Sequence, residues 1–254
     1  MLRPLGYITI TVFLAVSCSN LRTSQFNAEL KSQKLRFKLT DVSGSYVLNS
    51  STGFGKDREY IKKERLVSAK SKNEVFEKTI IISKKRKFNK DVQFLAPLKY
   101  ESSYYLQKDL YTVSGRIDYS KREIIYNLNS PEFKWLGQKR FMIPKQVKAL
   151  CFYGNIIGCA KVSGFISKSI EMKNGDMNFH ILWESFPYFQ EQFLNLPKEI
   201  IAFAVLAYDG VDKKGNFRFL LTTGGQSQVY LLNKKLDMVG HFWTAQGLSK
   251  ERIK

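Results

Sequence analysis

The chain has 254 residues, 44% hydrophobic and 14% aromatic, with a formal net charge of +19. That apolar content excludes wholesale disorder, and the length allows one sizeable domain or two small ones, each with chain enough to bury a core. The 30 lysines and 11 arginines suit a surface that meets phosphates, whether of anionic lipid, lipopolysaccharide or nucleic acid; a lysine-rich composition or protection of sheet edges would give the same balance.

Residues 1–17 have the layout of a secretory signal. Arg3 supplies the charge, Tyr7 to Val16 the short apolar core, and small residues precede Cys18. The core is far shorter than a membrane-spanning helix. The run Leu14-Ala15-Val16-Ser17-Cys18 resembles the lipobox of bacterial lipoproteins. The resemblance implies that Cys18 is lipid-modified and becomes the mature N-terminus. Ser19 in place of aspartate then implies the outer membrane, with the fold in the periplasm. Residues 18–34 are polar and aperiodic and are expected to form the lipid anchor and a flexible tether.

From residue 35 to 254 a single β-rich domain is expected. Early strands fall near 35–48, 59–69, 74–84 and 100–107. Basic residues concentrate from Lys56 to Lys90, and Lys84-Lys85-Arg86-Lys87 is expected to be a loop between strands. Tyr111, Val113, Ile117 and Tyr119 alternate with polar residues, the period of a half-buried strand. Asn174-Gly175 is a strong hairpin signal and is expected to join a strand over 162–172 to one over 177–183. Further turns link 200–208, 217–222, 229–232 and 236–243. One short helix is expected after Ser185, with Pro187 in its first turn, Phe186, Phe189 and Phe193 on one face, and Pro197 beyond its end. The fold class that follows is all-β and mainly antiparallel: a meander forming an open barrel, half-barrel or barrel, with one short helix.

Cys151 and Cys159 lie symmetrically about Asn155. With Gly154 to Ile156 as a three-residue hairpin loop they face each other across the ladder and form a disulfide in an oxidising compartment; two buried thiols are the alternative. Metal binding is not expected, since zinc needs four ligands at tighter spacings and only His180 and His241 accompany them. No cofactor is expected either. The segment Gly210 to Gly215 has a P-loop's glycine spacing, but Asn216 and Phe217 stand where lysine and a hydroxyl residue are required, so it is expected to be a hairpin loop. His180 shares a strand face with Asn178 and Glu184 but lies too far from Glu184 for a hydrogen bond, and is expected to face solvent. His241 is expected inside or at the rim.

The meander from 217 to 243 resembles, in architecture, the half-barrel lipoprotein-carrier superfamily. That resemblance implies a curved sheet, helical cover and an apolar cavity. Tyr104, Tyr105, Tyr111, Phe219, Tyr230 and Trp243 are the candidate lining of such a cavity; a filled aromatic core is the alternative. Two functions from different classes follow. The first is a non-enzymatic outer-membrane lipoprotein, structural or binding a lipidic or anionic envelope component. The second is a periplasmic lipid or lipoprotein carrier. Partners are the membrane, through acyl chains on Cys18, and anionic or apolar lipids; an exported location argues against nucleic acid.

Overall fold

The computed structural model describes residues 32–54, 60–69, 75–87, 92–106, 109–192 and 195–253. In chain order the strands are β1 (Gln33–Asp41), β2 (Gly44–Phe54), β3 (Tyr60–Ala69), β4 (Val75–Lys87), β5 (Gln93–Leu106), β6 (Asp109–Asp118), β7 (Glu123–Asn129), β8 (Gly137–Met142) and β9 (Leu150–Phe152). Two helices follow, α1 (Ile156–Val162) and α2 (Phe165–Met172), then β10 (Asp176–Leu182) and α3 (Tyr188–Gln192). The last strands are β11 (Ile201–Val211), β12 (Phe217–Thr223), β13 (Gln226–Leu232), β14 (Met238–Trp243) and β15 (Leu248–Ile253).

These strands make one 15-stranded sheet in the order β8-β7-β6-β5-β4-β3-β2-β1-β15-β14-β13-β12-β11-β10-β9. Every pairing is antiparallel except β9 with β10. The fold class is therefore the expected one, a mainly antiparallel β-meander in an open barrel. Two meanders meet where β1 pairs β15, with Arg36 opposite Ile253. The sheet cannot be flat. Fifteen strands side by side span about 65 Å, yet the two outermost, β8 and β9, are joined by a connection reaching about 28 Å at most (Met142 to Leu150). The sheet must roll to bring its ends together, while β8 and β9 do not pair with each other.

Alternation decides which side chains turn inward. On β1, Phe37 and Leu39 are buried while Lys34, Arg36 and Lys38 are exposed. The interior holds two clusters. The larger gathers α1, α2, β10 to β15 and the start of β5 around Phe219, Trp183 and Trp243. The smaller gathers β5 to β7, β9 and Tyr188 around Tyr100, Ile124 and Phe152. Tyr119 and Phe186 pack against both.

Residues 162–172, expected as a strand, are the end of α1 and all of α2. Ile166, Ser169 and Ile170 are buried together, the three- and four-residue spacing of a helix face. Asn174-Gly175 consequently ends a helix and does not turn a hairpin. Lys173 takes a left-handed conformation (φ +52°), its N–H donates to the Ile170 carbonyl, and the Asn174 N–H donates to that of Ser169. Parallel β9 and β10 require a crossover, and α1 with α2 supplies it. The expected helix after Ser185 is present as α3, whose Phe189 N–H donates to the Ser185 carbonyl at 3.2 Å; Phe193 lies outside the described residues. The basic run Lys84–Lys87 closes β4 and is not a loop. The single early strand expected over 35–48 is split at Asp41, whose Oδ1 accepts the N–H groups of Ser43 and Gly44 and turns β1 into β2.

Candidate functional site

The six aromatic residues expected to line one cavity do not come together. Tyr104 and Tyr105 are neighbours on β5, so they point to opposite sides of the sheet. Tyr104 is buried, while Tyr105 is 50% exposed on the outside. Tyr104 and Tyr111 are cross-strand partners in the smaller core, both with rings against Tyr188. Phe219, Tyr230 and Trp243 belong to the larger core. There Trp183, Tyr153, Phe189 and Trp243 touch ring to ring, with the Tyr153 and Trp183 centroids 4.3 Å apart. These rings are packed against one another as filling.

A polar cluster lies within that packing. His241 on β14 stacks on Tyr230 of β13, centroids 4.3 Å apart, and its Nε2 is 2.9 Å from Gln228 Oε1. The Tyr153 hydroxyl donates to the same oxygen at 2.9 Å. Trp243 Nε1 donates to Gln226 Oε1 at 2.8 Å. Inward glutamines at 226 and 228 thus tie β13 to β14 and to the segment before α1. His241, Gln228, Tyr153 and Tyr230 are all buried, so the cluster is closed to a substrate and acts as internal bracing.

His180 on β10 is half-buried, with Phe203 of β11 edge-on beside it, and burial lowers its pKa. Glu184 does not share its face. The strand stops at Leu182, and the Glu184 carboxylate turns inside to accept the Gly154 N–H at 2.9 and 3.2 Å. Cys151 and Cys159 form a disulfide. The hairpin expected to carry it is absent: Cys151 is the middle residue of the buried strand β9 and Cys159 sits on α1, so the bridge ties β9 to the crossover helix. The Gly210–Gly215 segment spans the last two residues of β11 and the turn into β12, where Asp212 accepts N–H groups from Lys214 and Asn216.

The outer surface divides by charge. Antiparallel order places alternate connections at opposite ends of the rolled sheet. One end carries the connections β6–β7, β8–β9, α2–β10, β11–β12 and β13–β14. Their described residues include Lys121, Lys145, Lys148, Lys173, Lys213, Lys214, Lys234 and Lys235, all exposed. Arg122 is also there, donating to the Ile143, Pro144 and Val147 carbonyls. The acidic residues of these connections are Asp212, held in its turn, and Asp237. Lys85, Arg86 and Lys87 add to this end from β4, offset in part by Asp118, Asp176 and by Asp209, which pairs with Arg218. At the far end the described connections hold Lys134 and Lys198 against Glu132, Glu191 and Glu199 at the surface.

The fold also begins at the basic end. Gln33 opens β1 and donates through Nε2 to Asp237 Oδ1 at 2.8 Å; Arg252, near the end of β15, donates to the other oxygen at 3.3 Å. Asp237 thereby clamps the two ends of the described chain together. Lys161 on α1 feels the same carboxylate, but burial dominates and lowers its pKa. A cleft of about 390 Å3 opens beside the start of β1, lined by Lys34, Leu35, Arg36, Asn49, Ser50, Ser51 and Leu66. Sequence reasoning missed this surface, since the lysines are scattered singly and in pairs from 121 to 235. Cys18 lies outside the described residues.

No protein-family model and no curated protein matches the sequence. Among solved structures, the chain is similar to a beta-barrel-like protein of domain of unknown function DUF1849 from Brucella abortus. The TM-score is 0.46 at 7% identity, covering 88% of this chain and 96% of that one.

Proposed function

We propose that the protein is a non-enzymatic lipoprotein of the bacterial outer membrane, held by acyl chains on Cys18, with the rolled sheet in the periplasm. Its role is structural, or binding of a lipidic or anionic envelope component at its surface. The observation that carries this reading is the filled interior. Trp183, Trp243, Phe219 and Phe152 are each at most 1% exposed, and the histidine inside is bonded to Gln228 and walled off. Binding by such a fold falls to its outside. The disulfide suits an oxidising compartment. Two or more acyl chains give anchoring that a salt wash does not reverse. The test is fractionation of cells expressing the wild-type chain or Cys18→Ser, with membranes washed in high salt. The wild-type stays with the membrane and Cys18→Ser is released; equal retention overturns the anchor.

The carrier reading would need an opening to an apolar interior, and the packed rings count against it. Native mass spectrometry of protein purified without detergent tests that directly: a co-purifying lipid mass would favour the carrier.

A further inference from the structure

We propose that the lysine-rich end of the rolled sheet is a docking face for an anionic lipid surface, so that the barrel stands on the membrane end-on. Charge complementarity carries the choice of partner. All five of the described connections named at this end carry exposed lysines, eight in all, spread from β6–β7 across β8–β9 to β13–β14. Charges spread along the end of a barrel face one plane, the geometry of a leaflet. The far end offers two lysines among three surface carboxylates, Glu132, Glu191 and Glu199, on its described connections. Compact ammonium groups on flexible stems suit dispersed lipid phosphates, where fixed bidentate recognition would call for arginine.

The second observation is where the chain enters. β1 starts at this end, pinned by Gln33 to Asp237. A tether arriving from a lipid anchor therefore joins the fold on the side of its lysines, and each contact strengthens the other by raising its effective concentration. The cleft beside β1 bears Lys34, Arg36 and Asn49 beside Leu66 on the outer face, a place for one phosphate headgroup at the edge of this surface. The direction of the tether rests on the lipoprotein reading; the charge asymmetry does not.

The experiment uses the full chain carrying Cys18→Ser, which removes the acyl contribution, in co-sedimentation with vesicles. The probes are mixed phosphatidylglycerol and phosphatidylethanolamine vesicles, with phosphatidylcholine vesicles as the neutral control. Binding to the anionic vesicles at low salt, its loss at high salt and none to the neutral ones are expected. Each lysine that reaches the leaflet contributes about a fivefold factor in partition. Replacing Lys213, Lys214, Lys234 and Lys235 by Gln should therefore cost about twentyfold or more if two of the four reach it. Lys145→Gln with Lys148→Gln, on another connection, should also weaken binding. Lys134→Gln with Lys198→Gln, at the far end, should leave partition within about twofold. Circular dichroism verifies that each variant is folded. No binding of the parent chain to anionic vesicles overturns the proposal, as does an equal loss from the far-end pair. Duplex DNA bound as tightly at the same salt overturns the lipid assignment. These outcomes are independent of the salt-washed fractionation, which tests Cys18 alone.

Discussion

Gly115→Ala should destabilise the fold severely, because the space over Gly115 is already occupied. Gly115 on β6 lies directly opposite Tyr100 on β5, and the Tyr100 ring is folded across it. A Cβ at position 115 would fall 2.3 Å from two ring carbons and 2.5 Å from the hydroxyl oxygen. Carbon atoms in contact sit about 3.5–4.0 Å apart, so the overlap exceeds about 1 Å. The ring has nowhere to go: it is 1% exposed and meets Phe152 edge-on at 5.9 Å. Overpacking of a rigid core site costs about 1–3 kcal/mol, and this site belongs at the upper limit. In a domain of this length about 3 kcal/mol lowers Tm by roughly 6–12 °C. Urea unfolding followed by tryptophan fluorescence gives the free energy. A double-mutant cycle gives the cause. In a Tyr100→Ala background the clash is gone, and Gly115→Ala should become neutral or stabilising by about 0.5–1 kcal/mol, the ordinary penalty of glycine within a strand. A loss below about 0.5 kcal/mol in the wild-type background, or an equal loss in both backgrounds, would refute this account of the pair.

Tyr100→Phe should be neutral or stabilising by up to about 1 kcal/mol in the same assay, since the buried hydroxyl has no hydrogen-bond partner among the described residues to offset its desolvation. The disulfide spans a sequence separation of 8, which corresponds to about 2.5 kcal/mol of loop-closure entropy. Cys151→Ala with Cys159→Ala should lower the unfolding free energy by about that amount, and a change under about 0.5 kcal/mol would show that the bridge does not constrain the unfolded chain. Burial raises the pKa of Tyr100 and Tyr119, and pushes Tyr188 up to about 12. In the unfolded chain these phenols ionise near pH 10. Their neutral forms therefore support the fold fully below about pH 10, and that support is lost as pH rises through the folded values. Thermal melts should be flat with respect to tyrosine ionisation up to about pH 9 and fall steeply above about pH 10; a flat profile to pH 12 would contradict it.

Much of the fold was legible because strand signals are local. Alternation over 111–119 and the turn within Gly210–Gly215 depend on residues close in sequence; the structure places β6 over the first up to Asp118 and a strand on each side of the second. Residues 162–172 read as a strand because isoleucines and phenylalanine suit a strand as well as a helix. What separates the two is the burial of Ile166, Ser169 and Ile170 together, which depends on β10 and β11 packing beside them. Tyr105 leaves the candidate cavity lining for a reason present in the sequence: adjacent strand residues cannot share a face.

By itself, the sequence determined the β-rich character, the basic charge and the pair of cysteines able to bridge, all consequences of composition and short-range pattern. The tertiary structure alone decided that β1 pairs with β15, where Arg36 meets Ile253 from the opposite end of the described chain. It alone decided that β8 and β9 end the sheet without pairing with each other, that the interior is filled, and that lysines dispersed from 121 to 235 share one end. Those outcomes depend on closing long loops and on register between distant strands. No window of neighbouring residues encodes that information, because side-chain sidedness is settled only when the partners meet.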